Sequence, residues 1–209
     1  MAIDMAEETS PCWEALGLKD IRSSPKVKAY IEKANEQMAA IGYTEHGIRH
    51  AGLVAAIARN LLSSLERPSR TCELAAIAGY LHDIGNVISR HNHPQIGASM
   101  AFVLLNELNM DPIEIGLIIG AIGNHEEPEG VPINELAAAV IIADKSDVHK
   151  TRVQATDPAQ WDIHDRVNLA VEKSRLNIDQ SAMSVTLDLT INVEVATVME
   201  YFEIECHSA

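Results

Sequence analysis

Six side chains in this 209-residue sequence could carry chemistry together: His50, His82, Asp83, His93, His125 and Asp144. Each falls at a helix end or on the inward face of a helical pattern. Neutral imidazole and carboxylate are ligands for borderline divalent metals such as Mn, Fe, Co, Ni or Zn. Two carboxylates buried beside several imidazoles would be electrostatically costly without a cation. A metal resolves that conflict, so the residue types predict a metal centre assembled from distant segments.

The elements that must position these residues follow from apolar spacing. Pro25 can open a helix at its first turn, and Val27, Ile31, Ala34 and Met38 keep helical spacing until Gly42. A second helix is expected from about Glu45 to Leu65, with Val54, Ile57, Ala58, Leu61 and Leu65 as its buried stripe. His50 stands four residues before Val54 and continues that stripe inward; His46 lies one turn earlier. Over Thr71 to Ile84 the apolar positions are Leu74, Ile77, Ala78 and Leu81, which puts His82 on the inward side. Gly85 reads as a left-handed cap just beyond.

His93-Pro94 restarts the helical pattern, with Ile96, Met100, Val103, Leu104 and Leu108 inside. Asp111-Pro112-Ile113-Glu114 reads as a capping box. The helix it opens carries Ile115, Leu117, Ile118, Ala121 and Ile122 and ends near Asn124-His125. After a loop over 126–132, a last core helix places Leu136, Val140 and Asp144 on one face.

Beyond about residue 151 the pattern changes. Residues 157–165 read as loop, and 166–173 suit helix or strand alike. Leu176/Ile178 and then Val185/Leu187/Leu189/Ile191 alternate at period two, predicting a β-hairpin over 175–192, closed by a short helix over 193–202. The expected organisation is an N-terminal arm (1–24, with a short amphipathic piece from Trp13 to Leu18), a helical metal-binding domain (25–150) and a C-terminal extension (151–209).

Composition narrows the function classes. Apolar residues make up 47% and aromatics 4%, so the core must be built from Leu, Ile, Val and Ala, which favours helix. A formal net charge of −14 argues against an extended nucleic-acid surface, which needs a basic footprint. A small phosphorylated substrate stays compatible, because bound cations supply positive charge locally. Cys12, Cys72 and Cys206 lie far apart, which fits a reduced compartment and neither a zinc-thiolate site nor a disulfide framework. There is neither a signal-peptide pattern nor a span of about 20 apolar residues, so a cytoplasmic protein without membrane contact is expected. Homo-oligomerisation stays open.

The order His50, His82-Asp83, Asp144 resembles the H…HD…D signature of the HD superfamily of metal-dependent phosphohydrolases. The segments EHGIRHAGLVAAIARNL, AAIAGYLHDIGN, HPQIGA and VIIADKSD read like HD-domain segments, and the resemblance covers about residues 43–150. It implies a mainly α HD-domain bundle, to which the small hairpin and terminal helix are added. His93 and His125 match the additional ligands of two-metal members. By resemblance, one ion takes His50, His82, Asp83 and Asp144, a second takes His93 and His125, and Asp83 bridges them. His91 competes with His93, and His46 suits either an additional ligand or a supporting role. Arg49 and Lys145 are nearby cations that could meet phosphate. A second HD pair, His164-Asp165, follows a polar stretch with no long apolar helix before it and is not read as a metal site.

The resemblance implies hydrolysis of a phosphoester, in a nucleotide-like or other small phosphorylated metabolite, by metal-activated water, Asp83 being the catalytic ligand, with one or two ions of Mn, Fe, Ni, Co, Mg or Zn per chain. Asn86 in HDIGN, Asn124 in NHEE and the missing GYP segment depart from the cyclic-di-nucleotide phosphodiesterases of the superfamily and argue against such a substrate. Mixed-valence diiron oxygenases use the same ligand order. A non-catalytic metal- or nucleotide-sensing module is the third alternative.

Overall fold

Helices form largely where the apolar periodicity puts them in the computed structural model, which describes residues 13–126, 130–155, 157, 161 and 163–205. Leu18–Ser23 (α1), Pro25–Ala40 (α2), Ile48–Ser64 (α3), Ser69–Leu81 (α4), His93–Glu107 (α5), Pro112–Gly123 (α6) and Glu135–Ser146 (α7) make the helical body. Ile163–Ala170 (α8), Val171–Asp179 (β1), Ser184–Ile191 (β2) and Val198–Glu205 (α9) follow. The fold is thus mainly α with an antiparallel two-stranded hairpin near the C-terminus, as expected.

Local chemistry sets the helix starts. Ser24 caps α2 and Asn134 caps α7, each side chain accepting a backbone N–H (3.5 Å from Val27 and 2.8 Å from Ala137). Asp111 accepts from Ile113 and Glu114 at the start of α6, but Glu114 turns its carboxylate to Arg70 at 2.6 Å. The expected reciprocal box is therefore one-sided. α3 begins at Ile48, later than expected. The backbone of Glu45 is already committed to Arg152: its N–H donates to the Arg152 carbonyl (2.7 Å) and its carbonyl accepts from the Arg152 guanidinium (3.0 Å).

α3 packs on α4 and α7, α4 also on α6 and α7, and α5 on α6. Ile77, Leu81, Leu105, Ile118, Ile122 and Leu136 lie fully buried at the centre. Trimming any of these six to Ala should cost roughly 2–5 kcal/mol. Gly79 on α4 lets α3 come close, since a Cβ there would stand 3.2 Å from the Ala55 backbone. That approach brings His50 and His82 together across the two helices.

Several expectations need correction. Gly85 is not a left-handed cap: Gly42 is the one described glycine with positive φ (+87°). Gly85 instead sits in a 3-10 turn, Ile84–Val87, pressed against the start of α5. A Cβ there would lie far inside contact distance of the His93 carbonyl oxygen and 2.6 Å from the Gly97 nitrogen. Gly85→Ala is therefore expected to lower stability by at least about 1–3 kcal/mol, read as a shifted denaturation midpoint, because both neighbours are rigid backbone. On α5, Val103 is 54% exposed and Leu105 takes the core position. That helix is apolar nearly all round, so its spacing leaves the phase undetermined. Leu65 and Leu117 are likewise exposed.

The segment up to residue 24 is not wholly loose. Leu18 and Ile21 of α1 join the core, and the Glu14 N–H donates to the Asn109 carbonyl at 2.9 Å. Residues 1–12, Cys206 and residues 127–129 of the expected loop lie outside the described residues, as do 158–160 and 162.

The C-terminal unit has its own small core of Val148, Val167, Val171 and Tyr201. The 166–173 ambiguity resolves as helix to Ala170, then strand, with Leu176 opposite Leu187 and Ile178 opposite Val185. α9 starts at Val198, later than expected, because Thr197 and Glu200 form a capping box there (2.7 and 3.2 Å). No helix among the described residues is long and apolar enough to cross a membrane.

Candidate metal centre

The six side chains singled out by residue type converge. On one side, His50 Nε2 lies 3.2 Å from His82 Nε2, 3.1 Å from Asp144 Oδ1 and 3.6 Å from Asp83 Oδ2. His82 Nε2 stands 3.3 Å from Asp83 Oδ2 and 3.5 Å from Asp144 Oδ1. Bonds of about 2.0–2.2 Å to one ion place neighbouring ligands roughly 3.0–3.5 Å apart, so this set closes on a cation-sized centre. On the other side, His93 Nε2 lies 3.1 Å from both His125 Nε2 and Asp83 Oδ1, and His125 Nε2 is 3.9 Å from the same oxygen. Asp83 stands between them, one carboxylate oxygen turned to each group.

Each imidazole is aimed from behind. The Nδ1–H of His82 donates to the Gly79 carbonyl (2.8 Å), that of His125 to Ile122 (2.7 Å) and that of His93 to Arg90 (3.0 Å). His50 donates through Nδ1 to Asp147 at 2.7 Å. All four therefore present Nε2 to the centre, the arrangement by which buried partners fix the tautomer of metal-ligating histidines. The histidines are buried, and Asp83 Oδ2 is buried without any hydrogen-bond partner. A buried anionic oxygen without a hydrogen-bond partner, set among imidazoles, fits a cation as its partner. His50/His82/Asp83, His82/His125/Asp144 and Asp83/His93/His125 can each hold a metal ion.

Electrostatics agree. Burial alone would raise both carboxyls, yet His82 and His46 hold Asp83 well below the ordinary carboxylate range, and His50 and His82 do the same for Asp144. Burial would press His82 down, but Asp83 and Asp144 hold its imidazole well above its usual value. Burial, with His82 beside it, pushes His125 down to about 3, and burial pushes His46 to about 3. Without metal at neutral pH, His82 is therefore protonated while His46 and His125 are neutral. A metal takes only neutral imidazole, so binding at pH 7 is expected to release the His82 proton. Affinity should weaken as pH falls and level off above the raised value of His82. Calorimetry in buffers of differing ionisation enthalpy reads that proton directly.

Some neighbours were not anticipated. Asp147, three residues past Asp144, accepts from His50 and also from Arg49 (2.9 Å); its carboxyl is lowered because His50 and the arginines outweigh burial. Its signal was the second aspartate of DKSD. Asn86, a departure from the HDIGK pattern, donates to Asp83 Oδ1 at 2.8 Å. Arg49 is turned to Asp147 and Glu45 and is not among the residues that line the cavity at the centre. Lys145 does line it. His46 Nε2 lies 4.0 Å from Asp83 Oδ2, in a supporting position; His91 is exposed. The cavity, about 320 Å³, also draws on Tyr43, Arg90, Arg152 and His164. His164 belongs to the HD pair that was set aside. Asp165 is buried and does not line the cavity.

Among comparisons with known proteins, the family model described as "HD domain" matches residues 46–148, which include all six convergent side chains. No curated protein and no solved structure matches the chain. Helical body, ordered ligand set and family match agree: this chain is an HD-domain protein.

Proposed function

We propose that the chain is a metal-dependent phosphohydrolase that cleaves a phosphoester of a small metabolite with activated water. The observation that carries this reading is the division of the Asp83 carboxylate between two ligand groups, Oδ2 toward His50 and His82 and Oδ1 toward His93 and His125. Divalent ions held in this way lower the pKa of bound water toward about 7 and draw charge from a phosphoryl group. His50, His82, Asp83 and Asp144 would hold one ion, and Asp83, His93 and His125 would hold the other. Around them, Arg90, Lys145 and Arg152 add positive charge to the cavity wall. The same wall carries Asp83, Glu126 and Asp144, with Arg90 paired to Glu126, so the positive charge that draws an anionic ligand would come chiefly from the bound ions. Cys72 is buried in the helical core, away from that cavity, and supplies no nucleophile.

The test uses metal-stripped chain reconstituted with Mn and assayed on p-nitrophenyl phosphate and its bis-ester. Hydrolysis is expected to return only with metal, alongside two binding events. His125→Ala should remove the weaker event and leave the tighter, because the His93/His125 position offers one carboxylate against two. One equivalent at saturation, unchanged in that variant, would return both histidines to supporting roles. Two irons per chain with oxygen uptake and no phosphoester turnover would assign an oxygenase instead.

A further inference from the structure

The cavity above the ligand cluster is only partly a product of the HD domain. His164, on the first turn of α8, lies 16 residues past the matched segment and yet lines the cavity with Asp83, Asp144 and Lys145. Its position is built rather than incidental. The side chain of Asn168, itself buried, donates to the His164 carbonyl (3.0 Å) and accepts the His149 N–H (3.2 Å). Ser174 of β1 donates to the Ser146 carbonyl at 2.7 Å, tying the hairpin to the end of α7, two residues past Asp144. Val148, Val167 and Val171 close a small core beneath, so α8 is fixed relative to the ligands.

The lining also speaks to the ligand. At about 320 Å³ the cavity lies at the small end of ligand pockets, which suits a metabolite and not an oligonucleotide. Tyr43 is the only Phe, Tyr or Trp among its described lining residues, and its ring already carries the Arg90 guanidinium at 5.7 Å. Little aromatic surface is therefore offered to a nucleobase by the described lining residues. The remaining wall, with His164, Thr44 and Lys145, offers hydrogen-bonding groups suited to hydroxyls.

We infer that His164, supplied by the C-terminal extension, contacts the alcohol side of a small polyol or sugar phosphomonoester and sets the selectivity of the site. This rests on the phosphohydrolase reading. Its role is in recognition, separate from metal binding and water activation.

Calorimetry on the Mn-loaded full chain with inorganic phosphate and with the phosphonate analogue of glycerol 3-phosphate, which the chain cannot hydrolyse, tests it. Wild type is expected to bind the analogue more tightly than phosphate by about three- to tenfold, the worth of one or two hydrogen bonds. His164→Ala should erase that difference while leaving phosphate affinity and metal content unchanged; His164→Asn, which keeps a polar group, should restore part of it. Equal binding of the two probes by wild type, or an unchanged preference in His164→Ala, would overturn the inference. So would equal weakening of both probes. Binding of phosphate alone would also overturn it, whereas failure of both probes to bind metal-loaded wild type would instead remove the phosphoester reading beneath it.

Discussion

Asp83→Ala is expected to abolish binding at both metal positions at once. No other ligand in the cluster should have this effect alone. The reason is geometric: Oδ2 lies 3.3 Å from His82 Nε2 on one side, and Oδ1 lies 3.1 Å from His93 Nε2 on the other. Alanine leaves one group with Asp144 as its sole carboxylate and the other with imidazoles only. Phosphoester turnover should fall to the metal-free background. A metal's contribution of several kcal/mol to transition-state stabilisation corresponds to a loss of roughly a thousandfold or more. The metal-free variant should still fold, since His82, whose imidazole Asp83 helps to hold protonated, can give up its proton once that carboxylate is gone and leave no unpaired buried charge. Its melting temperature should no longer rise when Mn is added, whereas that of wild type does. Retention of one tightly bound equivalent by Asp83→Ala would contradict the shared-carboxylate arrangement.

The second large effect is expected at a residue that touches no metal. Asp147 accepts the Nδ1–H of His50 at 2.7 Å and is itself held by Arg49 at 2.9 Å. Its carboxylate fixes the tautomer that turns His50 Nε2 toward Asp144, and its negative charge makes that imidazole a better ligand. Asp147→Asn keeps an acceptor but loses the charge, so metal affinity should drop about 10- to 100-fold. Chelator competition measures that loss, and circular dichroism should report unchanged helix content. Asp147→Ala should cost stability as well, because Arg49 and Arg152 then face each other without their shared anion. Metal affinity within twofold of wild type in Asp147→Asn would reduce Asp147 to a purely structural ion pair.

How much was legible in the sequence depended on the kind of information each residue carries. The ligands could be read because metal binding demands particular side chains, and helical spacing put His50, His82 and Asp144 on inward faces. The hairpin was visible for a similar reason: Leu176, Ile178, Leu187 and Leu189 alternate with exposed neighbours, and Ile178 and Leu189 pack against the two cores. Glycine and arginine were harder. Gly85 is required by the approach of His93 and Gly97, a tertiary fact with no local signature. Asp147, Arg49 and Arg152 are charged residues near the end of a helix or in a loop, where a solvated role is the ordinary one. Only the fold reveals that they share one buried anion. His164 was missed for the reverse reason: its neighbourhood is polar, and no local pattern tells that Asn168 and a four-residue core bring it over the cavity. α5 shows the remaining limit, since a run apolar on nearly every side leaves Val103 and Leu105 indistinguishable until neighbours choose between them.

The most direct test of the shared metal centre is anomalous X-ray scattering from crystals of the full chain grown with Mn. Two peaks are expected, about 3.5–4 Å apart as in other two-metal sites. One should lie within bonding distance of His50 Nε2, His82 Nε2, Asp83 Oδ2 and Asp144 Oδ1, the other of Asp83 Oδ1, His93 Nε2 and His125 Nε2. A metal-saturated crystal with no peak in contact with the Asp83 carboxylate would contradict the account.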